Sequence, residues 1–473
     1  MSDSNDVQAE VTVSFSPFKN KTFTTLFAAQ VTSLIGSGFT QVALALLAFD
    51  LMGAQAATVL GIVWSMRVLA FVVFAPVFGG IAHKIPRKEW LIALDIGRAL
   101  LVFGLFWVEE LWLLYLIIFL VNVLSAGFTP VFQAVLPDVL PNESVYTRAL
   151  GYSRLAYEVE RVLSPALAGL ALLFLSFNAL FVFNGACFLI SAYLLYSALI
   201  PVAVIIERVG GIWHNIAFGI KAYLLTPRLR GLLALYLLVS ATGAIVIVNT
   251  VGYVQGELGL TEQATVWVMA ASGIGAIIAA RITPYLLENY LSDRSLVLMA
   301  GLLMLLSLVP LLVTQPGLIL LSLMWAGVGF AASIVMTTSG RLVTRSCRKA
   351  DRSAFFSANF ALSHLMWLIC YPIAGWLGAT SMAVSATGLT LLGLLALILS
   401  SYLWPQNDSE RLKHHHDEMD HKHPHYHDEH HQHEHEGWEG EEPHLHPHHH
   451  EAMNHRHRFV IDEHHARWPR ITD

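Results

Sequence analysis

Twelve predominantly apolar runs follow one another between residues 22 and 404, centred near Ile35, Leu69, Val102, Leu120, Leu163, Leu189, Leu238, Ile274, Leu303, Ala326, Leu365 and Leu391. Each matches the roughly 20 residues that an α-helix needs to cross a bilayer core. Short polar or Gly/Pro-containing breaks separate them. The pattern predicts an all-α membrane protein of twelve transmembrane helices. The longest break, residues 201–230, divides them into two six-helix halves at 22–200 and 231–404. Its IAFGIKAYLL segment reads as an amphipathic helix lying at the membrane interface. The leading segment, 1–21, begins MSDSNDVQAEVTVSFS, without a basic region or a small-residue cleavage site. No removable leader is expected there, and the first span should stay in the protein.

Beyond Trp404 the apolar pattern stops. Residues 405–458 are rich in His, Asp, Glu and Pro and show no hydrophobic periodicity, so this tail is expected to be disordered without a ligand. The final segment, 459–473 (FVIDEHHARWPRITD), regains apolar residues at Phe459, Val460, Ile461 and Trp468. It is expected to dock on the transmembrane part or on a partner.

Composition agrees with a membrane chain, at 55% hydrophobic and only 13% charged. The net charge of −6 conceals two unlike parts. Residues 405–473 hold 7 Lys and Arg against 16 Asp and Glu, hence −9, which leaves +3 for the body. Basic residues are confined to alternate connections: HKIPRKE at 83–89, NESVYTR at 142–148, 207–230, LSDR at 291–294 and RLVTRSCRKADR at 341–352. The intervening MGAQAAT, VEEL and QGELGLTEQ contain none. Basic loops stay on the cytoplasmic side, so both termini and the tail are expected there. Cys187, Cys347 and Cys370 are far apart, which argues against a disulfide framework or thiolate site.

Charges within spans are costly and usually functional. Arg67 lies within the second span, while Arg154, Glu158 and Arg161 are spaced along one face of the fifth. Two readings stand for that trio: a self-neutralising ladder that orients helices, or a proton or cation relay centred on Glu158. Asn359, Ser363 and His364 cluster in the eleventh span, with Cys370 beyond. His364 suits a cation or proton site, or a simple hydrogen bond to a neighbouring helix. Gln30, Thr32, Ser33, Ser37, Thr40 and Gln41 in the first span, and Met336, Thr337 and Thr338 in the tenth, either line a cavity or serve packing.

The tail carries 20 of the 23 histidines. Its candidate metal ligands are His414, His415, His416, His421, His423, His425, His427, His430, His431, His433, His435, His444, His446, His448, His449 and His450. Imidazole interspersed with carboxylate suits Ni2+, Co2+, Zn2+ or copper and serves Ca2+ and Mg2+ poorly. Many overlapping sites describe a collector or buffer, bound to metal only in passing. A pH sensor and a solvated acidic tail are the competing readings.

The segment GGIAHKIPRKEWLIALDIGR resembles the signature loop of the major facilitator superfamily. Gly79, Gly80, Arg87, Lys88, Asp95 and Arg98 match it, and His83 stands where that family usually has aspartate. ERVLSPALAG at 160–169 is similar to the fifth-helix motif of the exporting antiporters, with Ser164 in place of glycine and Pro165, Ala168 and Gly169 retained. Together with SHLMWLICYPIAGWLG and the histidine tail, the chain resembles the bacterial nickel-resistance permeases of that superfamily. The resemblance implies a non-enzymatic secondary exporter in the inner membrane, moving nickel or cobalt from cytoplasm to periplasm by proton antiport. It implies a gating loop at Gly79, Gly80, His83, Arg87 and Lys88. The transport path or proton coupling would then use Arg67, Asp95, Arg98, Glu158, Arg161 and His364. Lipid, divalent metal and protons are the expected partners of a monomer, with no nucleic acid. The alternative is a drug or siderophore exporter whose tail senses or buffers metal. A metal-storage protein anchored by its spans is a further alternative.

Overall fold

The computed structural model describes residues 16–202, 212–409, 411–416, 419–425, 444–450, 453–461, 465 and 467–469. The predicted metal ligands His427, His430, His431, His433 and His435 lie outside them. Thirteen α-helices are described: α1 Lys21–Met52, α2 Ala56–Ile81, α3 Arg87–Gly104, α4 Leu111–Val139, α5 Glu143–Ala171, α6 Phe177–Ser197, α7 Ile212–Leu225, α8 Pro227–Ala244, α9 Glu262–Asn289, α10 Asp293–Val313, α11 Leu318–Arg345, α12 Arg352–Gly378 and α13 Met382–Leu403. Their starts are written locally. Asn20, Asn142, Ser176, Thr261, Ser292 and Ser381 each accept a hydrogen bond from a first-turn backbone N–H. The α8 rod continues through two π-helical stretches, Ile245–Asn249 and Gly252–Glu257.

Among the described residues, eleven helices are long and apolar enough to cross a membrane, against the twelve expected. The one that falls short is α5. It has 29 residues but carries Glu143, Arg148, Arg154, Glu158, Glu160 and Arg161. Its length fits a crossing, and its charge marks it as a helix whose neighbours must neutralise it.

The helices α1–α6 enclose two apolar cores, one around Phe23, Trp90 and Phe132 and one around Phe39, Val102 and Phe181. The later helices enclose two more, around Tyr236, Phe355 and Trp404 and around Val268, Trp325 and Leu389. The short α7, expected at the membrane interface, is wedged between the groups. Its Tyr223 is fully buried and donates to Asn359 Oδ1 at 3.1 Å, as does Tyr236 of α8.

The tail departs from the expected disorder. Its described parts form four strands, β1 Arg411–His416, β2 Met419–His425, β3 His444–His450 and β4 Met453–Arg458. Strand β1 pairs antiparallel with β4 and β2 with β3, as two rungs of one hairpin. A chain with so little apolar surface pairs here because its open end is anchored. Phe459 and Ile461 are buried in the core that holds Trp404, and Leu412 and Trp468 pack against it. Arg228 binds Asp408 at 2.9 Å, and Trp404 Nε1 donates to the same carboxylate at 3.0 Å. The anchor brings the strand ends together and removes most of the loop-closure entropy.

Candidate functional site

The basic-loop end of the bundle is closed by charge. Arg148 of α5 meets Glu288 of α9 at 2.5 Å, and Ser144 donates to the same carboxylate at 2.8 Å. Arg341 of α11 reaches Glu143 of α5 at 3.0 Å and Asp293 of α10 at 2.9 Å. Tyr146 donates to the Gly340 carbonyl at 3.2 Å. Asp138, at the end of α4, accepts from Arg87 of α3 at 2.5 Å and also from Arg352 of α12. Of these, Arg148–Glu288, Arg341–Glu143 and Arg352–Asp138 join early helices to late ones at the basic-loop end. A cavity of about 260 Å³, bordered by Tyr152, Arg281 and Tyr285, lies beside the Arg148–Glu288 pair at the basic-loop end.

The loop residues take different parts in this closure. Gly79 and Gly80 allow α2 to lie against its neighbours. A Cβ on Gly79 would fall 2.5 Å from Ser357 Cβ of α12, and one on Gly80 would fall 2.5 Å from Ile216 of α7. Arg87 joins the Asp138 bridge, while Lys88 donates to the Ala198 carbonyl at 3.0 Å and lies over the Tyr196 ring. His83 stands in the turn Ala82–Lys84 between α2 and α3.

Asp95 and Arg98 lie elsewhere, packed among α3, α4 and α6. They pair with each other, Ser191 donates to Asp95 at 2.7 Å, and the Arg98 guanidinium sits 4.1 Å from the Phe128 ring centre and 4.5 Å from that of Phe188. Glu158 is 2% exposed, bound to Arg154 and, at 3.3 Å, to Arg161. The three lie together along one face of α5.

A second set of groups meets near mid-bundle. Arg67 and His364 lie roughly 18–21 Å along their helices from the basic-loop end, at 1.5 Å per residue. The Arg67 guanidinium is 5.0 Å from the Trp64 ring and 5.4 Å from Phe71. Phe71 in turn meets His364 edge-on at 4.9 Å, and Phe360 stands 4.3 Å from the same imidazole. His364 Nδ1–H donates to the Phe360 carbonyl at 2.7 Å, its own preceding turn. The carboxylate of Glu160 acts electrostatically on Arg67, with the hydroxyls of Tyr157 and Tyr371 near by. Glu160 is bonded to Ser164, and Tyr157 to Gln30, which also accepts from Ser153 at 3.1 Å.

The structure therefore joins Arg67 to His364 through Phe71. It separates both from Asp95 and Arg98. Glu160, Tyr157 and Tyr371 were missed in the sequence. Glu160 stands two residues from Glu158, and i,i+2 positions face opposite sides of a helix, so a search along the Glu158 face passes over it. Cys370 is buried in the core with Trp325, apart from His364. Among the described residues, no group of three or more His, Cys, Asp or Glu is placed to hold a metal ion.

The family model of the Major Facilitator Superfamily matches residues 26–309 and 232–439. The chain belongs to this superfamily. Its members are carriers, so the protein is a multi-pass membrane transporter and not an enzyme. An uncharacterized MFS-type transporter, YfiS of Bacillus subtilis, is 28% identical over 299 residues, 59% of this chain and 69% of that protein. Macrolide efflux protein A of Streptococcus pyogenes is 29% identical over 153 residues, 31% of this chain and 37% of that protein. In fold, the superfamily chain matches the human organic anion transporter MFSD10 with a TM-score of 0.69 at 13% identity, over 80% of this chain and 99% of that one. It matches a bacterial homologue of the iron transporter ferroportin with a TM-score of 0.66 at 14% identity, over 80% and 98%.

Proposed function

We propose that this transporter is a proton-driven exporter of an amphipathic organic compound of the drug or siderophore kind. In this reading twelve crossing helices form two six-helix halves, and the histidine tail binds and buffers divalent metal in the cytoplasm. The makeup of the mid-bundle cluster carries the proposal. Arg67 and one imidazole stand among Trp64, Phe71 and Phe360, the Glu160 carboxylate acts on Arg67, and the described residues offer no set of three metal ligands. Aromatic walls with a few oriented polar groups suit an organic cargo, whereas a borderline metal ion needs several nitrogen or oxygen donors around it. The likeness to macrolide efflux proteins supports the same cargo class.

The confinement of Lys and Arg to alternate loops supports cytoplasmic termini, which makes the ion-paired end the inner gate. Cargo enters when those pairs open and leaves when the halves rock back. Glu160, beside Arg67, exchanges the coupling proton, with His364 as its neighbour across the path.

A second reading, export of nickel or cobalt by proton antiport, is favoured by the tail's 20 histidines, placed where metal for expulsion would gather. One comparison tests both. Cells expressing the intact chain, a version ending at Trp404, and His364→Ala are scored for tolerance and accumulation of macrolides, siderophores, nickel, cobalt, zinc and copper. The first reading expects organic tolerance that survives truncation and fails in His364→Ala. If the intact chain lowers cellular nickel or cobalt and alters no organic compound, the first reading is wrong and the second stands.

A further inference from the structure

Helix α9 is 28 residues long and apolar enough to cross the membrane. Ile274, Ile278 and Ile282 recur along it at four-residue spacing and are all exposed, so this stripe faces lipid. Arg281 belongs to the same stripe, three residues after Ile278 and four before the exposed Tyr285, and it too is exposed. Among the described residues it makes no hydrogen bond or ion pair. A guanidinium on a lipid-facing stripe is costly unless it reaches the headgroups or meets an anion.

Its depth permits both. Twenty-eight residues rise about 42 Å at 1.5 Å per residue, against a hydrocarbon core about 30 Å thick, so a centred α9 extends about 6 Å past the core at each end. Arg281 lies eight residues before the end of α9 at Asn289, roughly 12 Å. Its Cα is then about 6 Å inside the core, a depth from which an extended arginine side chain reaches the phosphate level. Tyr285 and Tyr290 stand nearer that end, their rings 5.5 Å and their hydroxyls 3.1 Å apart, as aromatic residues do at a membrane interface.

The cavity between α5 and α9 borders this arginine. Among the described residues its charged walls are Arg148, Arg281 and Glu288. Glu288 is already matched by Arg148 at 2.5 Å, which leaves the Arg281 charge unbalanced. The helices touch at Gly151, where a Cβ would fall 2.7 Å from the Ala280 carbonyl oxygen and 2.8 Å from Pro284 Cγ. Close packing there fixes the walls.

We propose that this cavity binds the phosphate of an anionic phospholipid from the leaflet on the basic-loop side. Arg281 is its charge partner, the Tyr285 hydroxyl a second donor, and the acyl chains lie along Ile274, Ile278 and Ile282. Arginine meets phosphate through a planar fork of two donors. The apolar stripe that continues from the cation fits an amphiphile and gives a free phosphate nothing to bind. The site is independent of the cargo that the transporter carries.

The test is native mass spectrometry of the full-length protein in detergent, titrated with phosphatidylglycerol, phosphatidylcholine or inorganic phosphate. The parent should hold one phosphatidylglycerol more tightly than the rest. Arg281→Gln should weaken that adduct at least about tenfold, as loss of a charge-assisted hydrogen bond implies. Lys84→Gln, which removes an exposed cation at the same end, should leave it unchanged. Equal losses in the two variants reduce the effect to general surface charge and overturn the proposal, as does equal binding of phosphatidylcholine, which carries no net charge. Displacement of the lipid by inorganic phosphate at equal concentration also overturns it, by making this a free-phosphate site. A second measurement uses the unaltered protein in nanodiscs containing phosphatidylglycerol with a photoreactive headgroup, and so decides the matter even where Arg281→Gln misfolds. Crosslinks should map to residues 148–155 or 281–290; crosslinks confined to other helices refute the site.

Discussion

At the scale of single residues, the in-membrane charges divide by what surrounds them. Asp95 and Arg98 are enclosed by Ser191, Phe128 and Phe188, a setting that holds a pair permanently. Removing one partner of such a pair strands a buried charge, at a cost of roughly 3–5 kcal/mol. Asp95→Ala is therefore expected to lower the thermal unfolding midpoint of the purified protein markedly and to reduce transport in proportion to the folded protein left. Glu160 differs, because it is bonded to Ser164 and acts electrostatically on Arg67 of another helix. Glu160→Gln keeps the shape and removes the charge. In proteoliposomes it should abolish gradient-driven uphill transport while unfolding at nearly the parent temperature; retained uphill transport would remove Glu160 from the coupling step.

At the scale of elements, the proposed inner gate rests on how closely α2 lies on α12. Gly79 makes that approach possible, since a side chain there would overlap Ser357. Gly79→Val is expected to force the helices apart by overpacking, worth about 1–3 kcal/mol against the closed state. The readout is cysteine labelling at the basic-loop end, which should rise in this variant; unchanged labelling would show that α2 and α12 do not set the gate. The charged bridges reinforce the same end. Arg148–Glu288 and Arg341–Glu143 tie α5 to α9 and α11, so α5 carries charges that residues on neighbouring helices neutralise. That charge explains why α5 reads weakly as a membrane span.

At the scale of the whole molecule, the tail is attached at both ends of its hairpin. Asp408 binds Arg228 before the first strand, and Phe459 and Ile461 enter the core after the last. Phe459→Asp would put a charge into that core and should free the tail. Limited proteolysis of the full-length protein should then cut within 405–458 faster than in the parent, with the helical body unaffected. Equal cleavage rates would mean that the hairpin holds without its anchor.

Twenty-residue apolar runs are one-dimensional features, and eleven of them carried their consequence directly, because a membrane span is recognised by length and hydropathy. The central cluster was not legible in this way. His364 and Arg67 were visible as isolated polar residues in apolar runs, but their link through Phe71 depends on α2 crossing α12. Glu160 was hidden by its neighbour Glu158, whose arginine-lined face satisfied the helical spacing first. The tail shows the converse case. Its composition forecasts disorder, because it buries almost nothing by itself. Only the tertiary structure, by holding residues 408 and 459 against the same helical core, brings the strands into register.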